Sequence, residues 1–218
     1  MDPETFRAQV ESAAGTELDR LGSNKLLLAV TRGDLTTETV LRSAATAERA
    51  SRDTFAGWAD DEADPDVKAV FERVADEERA HLDRVQAELE AVVDGDDESD
   101  TEKAGSGGAV HESLRERTET VERVAAGLVG RRLVSLRTHT QYVSFFVNEA
   151  DPTRADLFRE LKTDVESQIE TGLDLLVERC DDPDWDAAEE AALETIEAAY
   201  GEYESALTEL GMDPKPVC

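Results

Sequence analysis

The sequence predicts an all-α protein, and three observations carry that prediction. Apolar residues recur at spacings of three and four, as in Val67, Phe71, Val74, Leu82, Val85, Leu89 and Val92, which is the helical period. Aromatic residues make up only 5% of the chain against 39% hydrophobic residues overall. The core must therefore be mostly Ala, Leu and Val, and with abundant Glu and Arg that mix favours helices over sheets. The third observation is an internal repeat. Slid so that Pro65 falls on Pro152, the chain brings Glu62-Ala63-Asp64-Pro65 onto Glu149-Ala150-Asp151-Pro152. Leu41 then falls on Leu128, Phe55 on Tyr142, Trp58 on Phe145, Phe71 on Phe158 and Val74 on Leu161.

Each element has its own signals. Asp2-Pro3-Glu4 is a helix start, with Pro near the first helical position and an acidic first turn. The stripe Phe6, Val10, Ala14 and Leu18 runs to Gly22, and a short helix over Asn24 to Thr31 precedes the Arg32-Gly33-Asp34 break. Residues 1–35 are thus an N-terminal helical segment. A helix from Thr36 to Glu62 carries Leu41, Ala44, Glu48, Phe55 and Ala59 on one face. Asp64-Pro65 restarts the chain toward Val93, so residues 36–93 form a first hairpin. Residues 94–109, opening DGDDESDTEKAGSGG, are acidic and Gly/Ser-rich without periodicity, which predicts a flexible linker. Residues 110–180 form a second hairpin. Its first helix runs from Val110 to Glu149, with a break expected near Gly127 or Gly130, and its second from Asp151-Pro152 to Cys180. In residues 181–218 Pro183 opens a last helix with Ala188, Ala192, Ile196, Ala199, Tyr203 and Leu207 on one face, followed by an irregular tail.

Two related hairpins joined by a long crossover bury their faces against each other as one four-helix bundle, flanked by N- and C-terminal helices. A single long connection is the topology of ferritin-like bundles rather than of simple up-and-down ones.

The charge excludes several classes of function. With 52 acidic and 23 basic side chains the formal net charge is −29, and only five residues are Lys: Lys25, Lys68, Lys103, Lys162 and Lys215. Such a chain repels itself in dilute buffer, whereas molar salt shortens the screening length to about 3 Å. The acid is spread along every segment, so it reads as adaptation to a salty cytoplasm. No basic patch stands out for nucleic-acid phosphates. The N-terminus shows no signal-peptide pattern, and no apolar run approaches the ~20 residues of a membrane helix. A cytoplasmic protein is the expectation. Cys180 and Cys218 form no CxxC pair and no metal-ligand pattern.

Three polar residues stand where apolar ones are expected: Glu48 in one stripe, and Glu78 with His81 one turn along in another. Buried carboxylates are costly unless paired or metal-bound. Two carboxylates and an imidazole facing one core suit a transition metal such as iron or manganese. A Glu from one helix and Glu-x-x-His from its partner make half of a di-iron carboxylate set.

The segments Ala44-Ala-Thr-Ala-Glu48-Arg-Ala and Phe71-Glu-Arg-Val-Ala-Asp-Glu-Glu78-Arg-Ala-His81 resemble the first two bundle helices of the rubrerythrin family. The resemblance is specific over residues 36 to 93 and is carried mainly by the repeat over 110 to 180. The chain as a whole resembles an acidic, haloarchaeal version of that family. The resemblance implies iron binding, reduction of peroxide or oxygen as a small-molecule oxidant, an electron donor and a homodimer. No rubredoxin domain of the kind often appended in that family is expected, because residues 1–218 contain no CxxC pair.

The second half of the site departs from the family. The repeat maps Glu48 to Ser135, Glu78 to Val165 and His81 to Gln168. His139 and Asp164 lie nearby as weaker candidate ligands. Arg131 and Arg132, one turn before Ser135, offer another solution, a guanidinium that neutralises Glu48 and Glu78 without metal. Two readings therefore stand: a redox protein with half a di-metal site, and a metal-free helical scaffold or interaction protein. An iron-handling cage ranks below both. His111, at the edge of the linker, is expected to be solvated, Trp58 and Phe145-Phe146 to be core aromatics, and Asp76-Glu77 to be a solvated face.

Overall fold

A computed structural model of the chain describes residues 1–93 and 107–214. The described residues hold ten α-helices and no strand: α1 Pro3–Ala13, α2 Gly15–Leu21, α3 Lys25–Val30, α4 Thr37–Asp61, α5 Pro65–Glu90, α6 Gly108–Glu116, α7 Thr120–Val124, α8 Arg131–Asn148, α9 Pro152–Arg179 and α10 Asp184–Glu209. A π-helical stretch, Ala125–Gly130, joins α7 to α8. Most of the expected linker, residues 94–106, lies outside the described residues, and from Gly108 the chain is already helical.

The helices start where capping chemistry puts them. Asp2, Thr36, Asp64 and Asp151 each accept a hydrogen bond from a backbone N–H of the first turn, and Pro follows at the first helical position in α1, α5 and α9. α4 and α5 form one antiparallel hairpin, and α8 and α9 form the second. α1 packs on α9 and α10, and α10 runs along the π-helical stretch, so the flanking helices cover one end and side of the bundle. No helix among the described residues is long and apolar enough to cross a membrane.

The helix expected over 110–149 is interrupted, at Arg117–Glu119 rather than at either glycine. Arg117 is extended, which lets α6 swing away to pack on α10 and α4. Gly127 and Gly130 instead sit inside the π-helical stretch, where they permit close approach. A Cβ on Gly127 would lie 2.5 Å from the Trp58 ring, and one on Gly130 2.5 Å from the Ala192 carbonyl oxygen. π turns of this kind insert one residue and rotate the helix beyond them, so this stretch sets which face of α8 looks into the bundle.

Two apolar clusters fill the interior. One gathers Phe55, Trp58, Phe71, Val74, Val165 and Ile169 with the flanking helices. The other gathers Leu41, Leu82, Val85, Tyr142, Phe146, Phe158 and Leu161. In the second, Phe146 and Phe158 stack with ring centroids 5.5 Å apart. Between the two clusters lies a buried polar layer: Glu48 and Ser51 of α4, Glu78 and His81 of α5, Arg132, Ser135 and His139 of α8, and Gln168 of α9.

Candidate metal centre

Four helices contribute to this layer. Glu48 and the Glu78–His81 pair occupy core-facing positions of their helices, because the stripes that bury Leu41 and Phe55, or Val74 and Leu82, pass through them. One ligand atom each from Glu48, Glu78 and His81 lies within 4.8 Å of the others. His81 Nδ1 is 3.6 Å from Glu48 Oε2 and 3.8 Å from Glu78 Oε1. These distances are too long for hydrogen bonds, and His81 Nδ1 and Glu78 Oε2 have no hydrogen-bond partner.

The far sides of both histidines are tied. His81 Nε2 is 3.1 Å from Asp164 Oδ2, and His139 Nδ1 is 2.9 Å from the Ser135 carbonyl oxygen. A carboxylate and a carbonyl only accept here, so those two nitrogens carry the protons. Each ring then turns its other nitrogen inward, His81 Nδ1 toward two carboxylates and His139 Nε2 toward Glu48 Oε1, 3.4 Å away, as a lone pair on a neutral ring or as an N–H on a protonated one. Two buried carboxylates gathered this closely call for positive charge, either protons on the rings or a metal ion. His139 faces the second oxygen of Glu48 and lies outside the group of three; Asp164 stands behind His81, half exposed.

The second hairpin supplies the balancing charge. Arg132 Nη2 is 3.2 Å from Glu78 Oε1 and donates to Ser51 Oγ at 3.0 Å. Its guanidinium also sits over the Phe55 ring, 4.9 Å from the centroid. Gln168 Nε2 donates to Glu78 Oε1 at 3.1 Å and to Glu77 Oε2 at 2.9 Å, so the residue that replaces His81 in the repeat reaches the same carboxylate. Arg131, one residue earlier, lines the same small cavity as Glu48 and Glu78 but donates to Ser135 Oγ at 2.9 Å rather than to either carboxylate.

The electrostatics are set by burial and these neighbours. Burial opposes ionisation of Glu48, yet the His139 and His81 rings outweigh it and hold this carboxyl well below the usual range. For Glu78 burial prevails over Arg132 and, with Glu48 adding to it, raises the carboxyl. His81 is raised despite its burial, because Glu48, Glu78 and Asp164 favour the imidazolium.

The residues present fit one transition-metal ion. Metal–ligand bonds of about 2.1 Å give polyhedron edges of roughly 3.0 to 3.4 Å, so the two His81 separations need close by only tenths of an ångström, whereas the three donors together lie within 4.8 Å and the carboxylates must swing inward to share an ion. A cavity of about 10 Å³ touches Glu48, Glu78, Arg132, Ser135 and His139, close to the space of one water molecule. A second ion lacks ligands, because Arg132 and Gln168 take up Glu78 Oε1, the oxygen that also faces His81, and Val165 is apolar.

Two expectations fail here. His111 is buried, not solvated: its Nδ1 is 3.0 Å from Thr54 Oγ1, and Arg131 Nε donates to its Nε2 at 3.4 Å. Burial, then Arg131, Arg115 and Arg132, hold it well below the usual imidazole range. Glu77 is half-buried under Gln168 rather than fully solvated. Trp58 and Phe146 are buried and Phe145 half-buried. The Cys180 thiol is pushed up to about 11 by burial and Asp184, which leaves it unreactive; Cys218 lies outside the described residues. No family model matches the chain, and neither a curated protein nor a solved structure matches it.

Proposed function

We propose that the chain binds a single iron or manganese ion through Glu48, Glu78 and His81 and acts as an oxidoreductase on peroxide or oxygen, in the manner of a rubrerythrin with half its ligands. One observation carries the metal: two carboxylates and His81 Nδ1, which has no hydrogen-bond partner, converge in a buried layer at separations too long for hydrogen bonds. An ion held by three protein ligands keeps open positions and supplies one-electron chemistry to a small oxidant. The chain's own residues prepare that site. Asp164 holds the outer nitrogen of His81, Arg132 and Gln168 orient Glu78, and His139 faces the second oxygen of Glu48. The substrate class rests on the resemblance of residues 36–93 alone.

A second reading is favoured by the Arg132–Glu78 pair. With His81 protonated, two carboxylates face one guanidinium and one imidazolium, and the layer is balanced without metal. The bundle is then a scaffold. Elemental analysis of protein purified and held in molar KCl, beside Glu78→Gln, separates the two. Near-stoichiometric iron or manganese that the variant loses supports the metal reading, and peroxide turnover is the next assay. A metal-free parent that folds normally leaves the scaffold.

A further inference from the structure

A larger cavity, of about 430 Å³, lies between α3, α4, α6, α8 and α10. That volume falls within the range of small-molecule sites. Its walls are largely apolar, with Leu26, Ala29, Val134 and Ala206 among them. Ala47, Arg131, Thr138 and Tyr142 line both this cavity and the small one at Glu48 and Glu78, so they form the partition between the two.

The polar groups of the cavity differ in how they are engaged. Ser43 Oγ and Tyr142 Oη are 3.2 Å apart and satisfy each other. Glu202 is engaged, its Oε1 accepting from the Val110 N–H at 3.0 Å. Arg131 is different. Its bonds go to neutral acceptors, Ser135 Oγ and His111 Nε2, and no carboxylate among the described residues pairs with it. Its guanidinium thus lies on the cavity wall bonded only to neutral groups, with the Glu48, Glu78 and Glu202 carboxylates acting on it through space but not paired with it. Arg32 also lines the cavity, so its charged residues are two arginines and one glutamate. A planar guanidinium holds a carboxylate through two parallel hydrogen bonds.

We propose that this cavity binds a small carboxylic acid with an apolar body, its carboxylate seated on Arg131 and its body against the α3 and α10 walls. The proposal rests on the cavity and on Arg131, not on the metal centre, and binding involves no chemical step.

Octanoate is the probe, titrated by calorimetry into the full chain in molar KCl, with octanol as an uncharged comparator. The parent is expected to bind octanoate at one saturable site. Octanol is expected to bind at least tenfold more weakly, and Arg131→Gln to weaken octanoate by a similar factor, as loss of charge-assisted hydrogen bonds does. Ala206→Phe, which fills the cavity and leaves Arg131 intact, abolishes binding. Absence of saturable octanoate binding by the parent overturns the site. Octanol bound as tightly as octanoate overturns the role of Arg131, and that comparison needs no variant to fold.

Discussion

Arg132 of α8 places Nη2 3.2 Å from Oε1 of Glu78 on α5, and the two side chains are 2% and 1% exposed. The pair joins the two hairpins at the level of the polar layer. Removing one member of a buried ion pair strands the other charge and costs about 3–5 kcal/mol, whereas replacing both by apolar groups is often neutral. Arg132→Leu is therefore expected to destabilise the chain by about that amount, and Arg132→Leu with Glu78→Leu to recover most of it. Urea unfolding in molar KCl measures both. A single variant as stable as the parent would show that Glu78 is neutral in the folded state.

Much of this layer is legible in sequence, because Glu48, Glu78 and His81 interrupt otherwise regular apolar stripes. The hairpins are legible too: α4 ends and α5 begins at positions that the repeat carries onto the end of α8 and the start of α9. Three things are not. The π-helical stretch Ala125–Gly130 sets the phase of α8, and no 3.6-residue pattern reveals that rotation, so Arg131 and Arg132 look equivalent until packing separates them. His111 is buried by α4 and α8, elements distant in sequence. The two Glu-Ala-Asp-Pro turns also differ. In the first, Glu62 folds back onto the N–H groups of Ala63 and Asp64 and is met by Thr120 and Arg123 of α7. In the second, Glu149 is exposed and Ala150 takes φ +55°, with Asp151 N–H bonded to the Phe146 carbonyl. The same four residues adopt different backbones because only one has a partner helix to bind its glutamate.

Asp164 tests the metal reading from outside the ligand set. Its Oδ2 holds the nitrogen of His81 that faces away from Glu48 and Glu78. Loss of such an outer hydrogen bond typically weakens a metal site by about 10–100-fold. Asp164→Ala is expected to lower manganese affinity by that factor in a chelator competition, with little effect on folding because the carboxylate is 50% exposed. Unchanged affinity would make Asp164 an ordinary surface acid.

Gly130 and Gly201 are expected to respond oppositely to alanine. A Cβ at Gly130 would meet the Ala192 backbone, with oxygen at 2.5 Å and Cα at 2.9 Å, so α10 must move. Overpacking of this kind costs about 1–3 kcal/mol. Gly201, inside α10, has nothing within 4 Å of such a Cβ. There alanine reduces the freedom of the unfolded chain and stabilises by about 0.5–1 kcal/mol. Thermal unfolding of both variants checks the pair. A neutral Gly130→Ala would mean that the α10 contact yields without strain.

His111 gives the bundle an acid-sensitive point apart from the metal ligands. Its pKa is depressed by burial and by Arg131, Arg115 and Arg132, against a weaker opposing pull from Glu48. Above pH ~6.5, the ordinary imidazole value, His111 is neutral in both folded and unfolded chains and contributes no pH dependence. Below it, the unfolded chain takes up a proton that the folded chain refuses, so stability falls by up to about 1.4 kcal/mol per pH unit. His111→Asn lacks this uptake. The other carboxylates and His81 titrate in both proteins and cancel in the comparison. The stability advantage of the parent over His111→Asn should therefore be largest near pH 7 and shrink steadily toward pH 5, as read by urea unfolding at fixed KCl. A gap that stays constant across that interval would place a proton acceptor beside His111 strong enough to offset the three arginines.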